Sequence, residues 1–228
     1  MQVAVLVSGG KDSALALHRI LEQDHQVNYL VTMVPQTEDS WMFHSINIHL
    51  ADLFAQAVDI PLAKTTTQGV KEEELDDLKS LLATLDIEGV VSGAICSQYQ
   101  KTRIDRVCRE LKLESIAPLW HSNQEQLLRE IVQLNFRVII VGVYAYGFNQ
   151  SWLGREMDAA MIDELKALNA QYQISPIGEG GEYETLVLDA PFFRRRIQLL
   201  QAEKTWANHH GCLLVKDAKL VEKAEKVC

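Results

Sequence analysis

The chain of 228 residues has no surplus of cations: 22 Lys and Arg face 31 Asp and Glu, for a formal charge of −9. Broad electrostatic capture of nucleic acid needs clustered Lys and Arg, so nucleic acid is not an expected partner. No apolar run approaches the length that spans a bilayer, and the first residues lack the basic, apolar, small-residue order of an export signal. No membrane partner is expected, and the expected location is the cytoplasm. The cysteines, Cys96, Cys108, Cys212 and Cys228, include no C-x-x-C pair. That excludes a disulfide framework and a four-thiolate zinc site, and leaves them as thiols. Internal repeats and low-complexity tracts are missing too.

What is present is 47% hydrophobic content, enough to bury a substantial core. Apolar, β-branched runs at 3–7, 28–34, 60–66, 89–95 and 115–120 alternate with segments of helical period at 12–23, 47–57, 71–85 and 99–111. Leu75, Leu78, Leu82 and Leu85 make the clearest helical stripe. The alternation predicts an α/β fold with a doubly wound, Rossmann-like parallel sheet of five strands, for which we expect the order 3-2-1-4-5 common to such folds. After Trp120 the rhythm changes to a helix over 124–134, a buried strand over 137–143, a helix over 158–170, a Gly/Glu-rich loop and two antiparallel strands over 196–202 and 212–216. We expect a first domain over 1–120 and a smaller α+β domain over 121–228.

The first strand runs into S-G-G-K-D-S, Ser8 to Ser13. In a doubly wound fold, ligands sit beyond the carboxyl ends of the strands where the strand order reverses, and the first strand borders that crevice. Gly9 and Gly10 let the backbone approach an anion, the opening amides and dipole of the next helix favour negative charge, and Ser8, Ser13 and Lys11 add donors. Asp12 can cap that helix or hold a metal ion. A Walker loop is excluded because Val5 stands at its first glycine, and the dinucleotide fingerprint fails because Lys11 and Ser13 fill its later glycine positions. The fourth strand repeats the design: Ser92 and Gly93 follow an apolar run and would lie across the crevice from Gly9. Arg103 then falls near the start of a helix, within reach of an anion.

The full S-G-G-x-D-S after a buried first strand resembles the PP-loop of the ATP pyrophosphatases, which split ATP into AMP and pyrophosphate while activating an oxygen of the substrate. The resemblance sharpens downstream. S-G-A-I-C-S-Q-Y-Q-K-T-R-I-D-R-V-C, S-W-L-G-R and P-I-G-E-G-G-E-Y-E-T-L together resemble the diphthine–ammonia ligase family, over most of the chain up to about residue 193. Members amidate a carboxylate with ammonium, using ATP; in eukaryotes and archaea that carboxylate belongs to diphthine, a modified histidine of a translation elongation factor.

The resemblance implies ATP and Mg2+ as cofactors, with Ser8, Gly9, Gly10, Lys11, Asp12 and Ser13 as the ATP loop, Ser92 and Gly93 as the facing nucleotide contact, and Asp12 as a metal ligand. It places Tyr99, Gln100, Gly154, Arg155, Glu179, Gly180, Gly181, Glu182, Glu184 and Thr185 on the substrate side and His44 near the adenosine. Lys11, Asp12, Ser13, Arg103 and Glu182 are the expected catalytic residues. Relatives of this kind also suggest a homodimer.

Read without the family, the glycine- and glutamate-rich stretch is a flexible backbone bearing carboxylates beside Tyr183, suited to a quaternary ammonium group such as that of diphthine, or to taking a proton from ammonium. No glutaminase domain fits this length, so ammonium is the expected nitrogen source. Two other readings remain open: a PP-loop enzyme acting on another small acid or a tRNA base, and a regulator that holds ATP without breaking it. His209, His210 and Cys212 lack a fourth ligand and read as incidental rather than as a metal site.

Overall fold

Strands buried on both faces of a parallel sheet need unbroken apolar runs. In the computed structural model, which describes residues 1–35, 46–68 and 73–223, those runs become β1 (Gln2–Leu6), β2 (Gln26–Pro35), β3 (Leu62–Thr67), β4 (Gly89–Val91) and β5 (Glu114–Ile116). They alternate with α1 (Lys11–Leu21), α2 (Ala51–Val58), α3 (Glu73–Leu82) and α4 (Gln98–Leu111). All pairings are parallel and the order is β3-β2-β1-β4-β5, as expected for this doubly wound fold. Val3, Ala4, Val5, Val90 and Val91 have no exposed surface, and Leu75, Leu78 and Leu82 of the leucine stripe pack with Val31, Met33 and Ile104. Burying each such side chain contributes about 1.5–3 kcal/mol before the entropy of ordering it is subtracted.

β4 and β5 are shorter than their apolar runs. The Ser92 amide still donates to the Ile116 carbonyl at 2.9 Å, but the chain then leaves the sheet at Gly93. β5 stops because Pro118 has no N–H for a ladder, and the chain turns, with the Trp120 amide donating to the Ala117 carbonyl at 3.1 Å. At these places apolar residues serve packing beyond the sheet edge.

The chain divides into two compact units: Met1–Ala55 with Ile60–Ser122, and Gln56–Asp59 with the described residues from Asn123 onward. The second unit contains α5 (Gln124–Gln133), β6 (Arg137–Val143), α6 (Ala159–Tyr172), β7 (Tyr183–Asp189), β8 (Arg195–Ala207) and β9 (His210–Glu222). Its sheet is antiparallel, ordered β7-β6-β9-β8. β7 is a strand where a loop was expected, and it covers Glu184 and Thr185. β8 and β9 run 13 residues each, well past their expected ends, around a two-residue turn in which Asn208 and His209 both take positive φ, 49° and 69°. Among the described residues no helix is long and apolar enough to cross a membrane.

Candidate functional site

The corner between β1 and α1 forms around Gly9, whose φ of +82° an L side chain rarely adopts. α1 then starts at Lys11 with Gly10 as its N-cap and no side chain capping it. The expectation that Asp12 caps this helix is therefore not met: Asp12 lies within the first turn, its Oδ2 3.0 Å from the Lys11 ammonium. The contrast with the other long helices is direct. Ser97 caps α4, Asn123 caps α5 and Asp158 caps α6, each with a side-chain oxygen accepting a backbone amide. The amides that open a helix have no acceptor inside it, so a helix without a side-chain cap is open to an anion.

Around that opening the polar side chains Lys11, Ser13 and Ser92 are buried, at 2%, 9% and 2% exposed. The Ser8 amide reaches Ser13 Oγ, and the Gly10 amide reaches Ser8 Oγ, both at 3.4 Å, the outer limit of a hydrogen bond. Ser13 Oγ donates to the Gly10 carbonyl at 3.0 Å. Ser92 Oγ is buried without a hydrogen-bond partner among the described residues. A buried hydroxyl in that state costs about 1–3 kcal/mol unless a ligand or water meets it. β4 ends beside β1, so the topology places Ser92 and Gly93 at the same sheet end as the corner. They meet it closely: a Cβ on Gly93 would stand 2.8 Å from the Asp12 carbonyl carbon and from the Ser13 nitrogen. A glycine at 93 is what lets the two loops touch.

Tyr99, Gln100 and Arg103 occupy the first turns of α4, which begins beyond the same sheet end. The Gln100 amide donates to Ser97 Oγ at 3.3 Å, and the Arg103 guanidinium lies 3.6 Å from the centre of the Tyr99 ring while donating to the Tyr99 carbonyl at 3.4 Å. Arg103 is half-buried and held over the ring rather than extended into solvent. Below it, Lys101 and Ser115 donate to Asp105 at 2.7 and 2.6 Å. Burial alone would raise the Asp105 carboxyl; the hydrogen bonds from Lys101 and Ser115 outweigh it and hold the group below its ordinary value. Burial pushes the neighbouring Cys108 thiol up to about 11, so it is inert. His44 lies outside the described residues.

In the second unit the segment 175–185 is tied to itself. The Gly178 amide donates to Ser175 at 2.9 Å, the Gly181 amide to Gly178 at 3.1 Å, and Tyr183 Oη to Pro176 at 2.7 Å. The Glu182 carboxylate turns back into the loop, Oε1 accepting the Ser175 amide at 2.7 Å. Tyr183 is 3% exposed and packs on Phe148, so its ring offers no face to a quaternary ammonium group, contrary to the reading from sequence. Glu184 and Thr185 are half-buried on β7, opposite Gly142 and Ile140. Glu179 sits half-buried within the loop.

Arg155 is likewise engaged. It makes a two-pronged pair with Glu164, 2.6 Å on each arm, above the Trp152 ring, and that pairing raises its pKa from an already high value. The Gly154 amide donates to Ile140 and the Ile140 amide to Arg155, which pins the segment to β6. The structure thus brings Ser8 to Ser13, Ser92 and Gly93 together in one unit, and Arg155, Glu179 to Glu182, Glu184 and Thr185 within the other. Ser97, the α4 cap, was not singled out from sequence, although a serine ahead of a helical pattern is a legible cap.

Two family models cover nearly all of this architecture: the diphthamide synthase N-terminal domain over residues 1–115 and the diphthamide synthase C-terminal domain over 123–221. Similar curated proteins are named diphthine–ammonia ligase. The Rattus norvegicus protein is 38% identical over 220 residues, covering 86% of this chain and 82% of that protein. The Homo sapiens protein is 36% identical over the same shares. The Schizosaccharomyces pombe protein is 37% identical over 89% of this chain, but this chain spans only 37% of that protein's length. Among solved structures, a predicted subunit of a tRNA methyltransferase from Methanocaldococcus jannaschii aligns at 18% identity over 84% of this chain and 98% of that one, with a TM-score of 0.47, too loose a likeness to carry an argument.

Proposed function

The chain belongs to the diphthine–ammonia ligase family of ATP-dependent ligases, and from that premise we propose that it adenylates a substrate carboxylate and converts it to the amide with ammonia. The observation that carries this reading is the corner: a helix opening without a side-chain cap, beside a buried Ser92 hydroxyl with no hydrogen-bond partner among the described residues, with Gly9 at a positive φ and Gly93 against the Asp12–Ser13 backbone. That donor set fits the phosphates of ATP.

In this mechanism an oxygen of the substrate carboxylate attacks the α-phosphorus of ATP. A new P–O bond forms as the bond to the bridging oxygen breaks, and pyrophosphate leaves. Catalysis of such a transfer rests on positioning and on stabilising charge, the work of preorganised donors. Here Lys11, Ser13 and the amides of Gly9 and Gly10 hold the departing pyrophosphate, Ser92 and Gly93 accept the nucleotide from the opposite side, and Arg103 steadies the transferring group. Mg2+ would neutralise phosphate charge. Asp12, in the first turn of α1, would be its protein ligand. Ammonium then gives up a proton to solvent, ammonia attacks the acyl carbon, a C–N bond forms, the acyl–O bond breaks, AMP departs and the nitrogen sheds its extra proton to solvent, leaving the amide. Tyr99 and Gln100, in the first turn of α4, serve the acid. The substrate we assign is diphthine on a translation elongation factor.

The test is AMP and pyrophosphate release from MgATP, ammonium chloride and the diphthine-bearing factor. Ser13→Ala and Asp12→Ala are expected to lower the rate by about 100-fold or more, as for loss of a preorganised donor. A wild-type rate in both variants would end this assignment of the corner. Steeply salt-dependent RNA binding would point instead to a nucleic-acid substrate.

A further inference from the structure

In the second unit, the carboxylate expected to act on the substrate is the one most involved in holding its own loop. Glu182 Oε1 accepts the Ser175 amide across seven residues, at 2.7 Å. The Tyr144 amide donates to the Glu182 carbonyl at 2.9 Å, so the residue is fixed to β6 through its backbone while its side chain reaches the start of the loop. The carboxylate fills the space a side chain at Gly180 would need: a Cβ there would stand 2.8 Å from Oε1 and 3.0 Å from Oε2. Glu182 Oε2 is buried with no hydrogen-bond partner among the described residues. By contrast, a Cβ on Gly181 would meet nothing within 4 Å. The two adjacent glycines therefore differ: one makes room for the Glu182 carboxylate, and the other only allows the turn, at φ +81°.

We infer that Glu182 is a positioning residue, a strut that closes the 175–182 loop from within, and not the base that takes a proton from ammonium. This rests on the proposed reaction for its activity readout, but the strut is a property of the loop itself. A proton acceptor has to face the reacting nitrogen with an accessible oxygen. In Glu182, one oxygen accepts the Ser175 amide and the other is enclosed. Closing the loop fixes Glu179 at its tip and delivers the chain to β7, where Glu184 and Thr185 follow.

The experiment compares Glu182→Gln, Glu182→Ala, Gly180→Ala and Gly181→Ala in the full chain. Each is measured for AMP release from MgATP, ammonium chloride and the diphthine-bearing factor across a pH series, and for hydrogen exchange of peptides covering 174–183. Gln keeps an acceptor for the Ser175 amide, so Glu182→Gln should stay within about threefold of wild type with an unchanged pH profile. Glu182→Ala and Gly180→Ala should both speed exchange at Ser175 and lower kcat/KM for the carboxylate substrate by tenfold or more; Gly181→Ala, strained at φ +81° but with nothing for its Cβ to strike, should lose stability while the Ser175 amide stays protected under native conditions. A hundredfold loss or a displaced pH profile in Glu182→Gln would make Glu182 the base and overturn the inference. So would unchanged exchange in Glu182→Ala. The exchange measurement needs no substrate. A wild-type protein that makes no AMP would thus defeat the proposed reaction while leaving the strut to be judged by exchange alone.

Discussion

The corner over 8–13 and the loop over 175–185 look alike in sequence, both rich in glycine and in polar side chains, yet the space their glycines clear is filled differently. In the corner, Gly9 turns the chain at φ +82° and Gly93 lets backbone meet backbone, beside a helix start that no side chain caps and a Ser92 hydroxyl with no hydrogen-bond partner among the described residues. In the loop, Gly178 and Gly180 clear space that side chains fill, the Tyr183 ring and the Glu182 carboxylate. A backbone neighbour and a side-chain neighbour are indistinguishable in a string of letters. They separate once one asks which atom a Cβ would strike.

The widest separation should come from Gly93→Ala. Its methyl group would be driven into the Asp12–Ser13 backbone at 2.8 Å, displacing the start of α1. ATP-driven pyrophosphate release should fall by about 100-fold or more, and the rise in melting temperature on adding MgATP should vanish. Turnover at the wild-type level would mean that the close approach of the two loops serves packing alone. Gly178→Ala tests the other side. It combines φ +76° with a Cβ 2.9 Å from the Tyr183 ring, so about 2 kcal/mol of stability and roughly 4–8 °C in Tm should be lost. The shift on adding MgATP should survive, and its loss would erase the contrast between the regions.

The smallest effect concerns the support beneath α4. The folded protein holds Asp105 below its ordinary value of 3.8, so its contribution to stability is present above that value and lost as pH falls through the lowered one. Asp105→Asn should be less stable than wild type at neutral pH, and its urea midpoint should change less than that of wild type as the solution is acidified below about pH 4. Parallel acid profiles would show that the lowered carboxyl does not support the fold.

The parallel sheet was legible because its strands are buried on both faces and read as runs; its order and crevice end came from the doubly wound pattern that such alternation belongs to. β7 was not, because the glycines before Tyr183 hide a strand whose apolar members, Leu186, Val187 and Leu188, come late in it. The far ends of β8 and β9 were hidden for a different reason. Gln201, Glu203 and Lys204 are exposed, so that stretch of ribbon leaves no apolar pattern to read. Ser8 to Ser13 and Ser92 with Gly93 could be paired from sequence because topology alone places strand ends side by side. The inward turn of Glu182, the enclosure of Tyr183 and the ion pair that occupies Arg155 could not, since each depends on where a side chain points after the backbone is fixed.

The bare start of α1 has a thermodynamic consequence. Three other long helices of this protein carry a side-chain stop, whereas this one has none. Under the proposed function the nucleotide is then a piece of the fold as well as a reactant, and any free energy it contributes there ties the stability of the sheet to the supply of ATP.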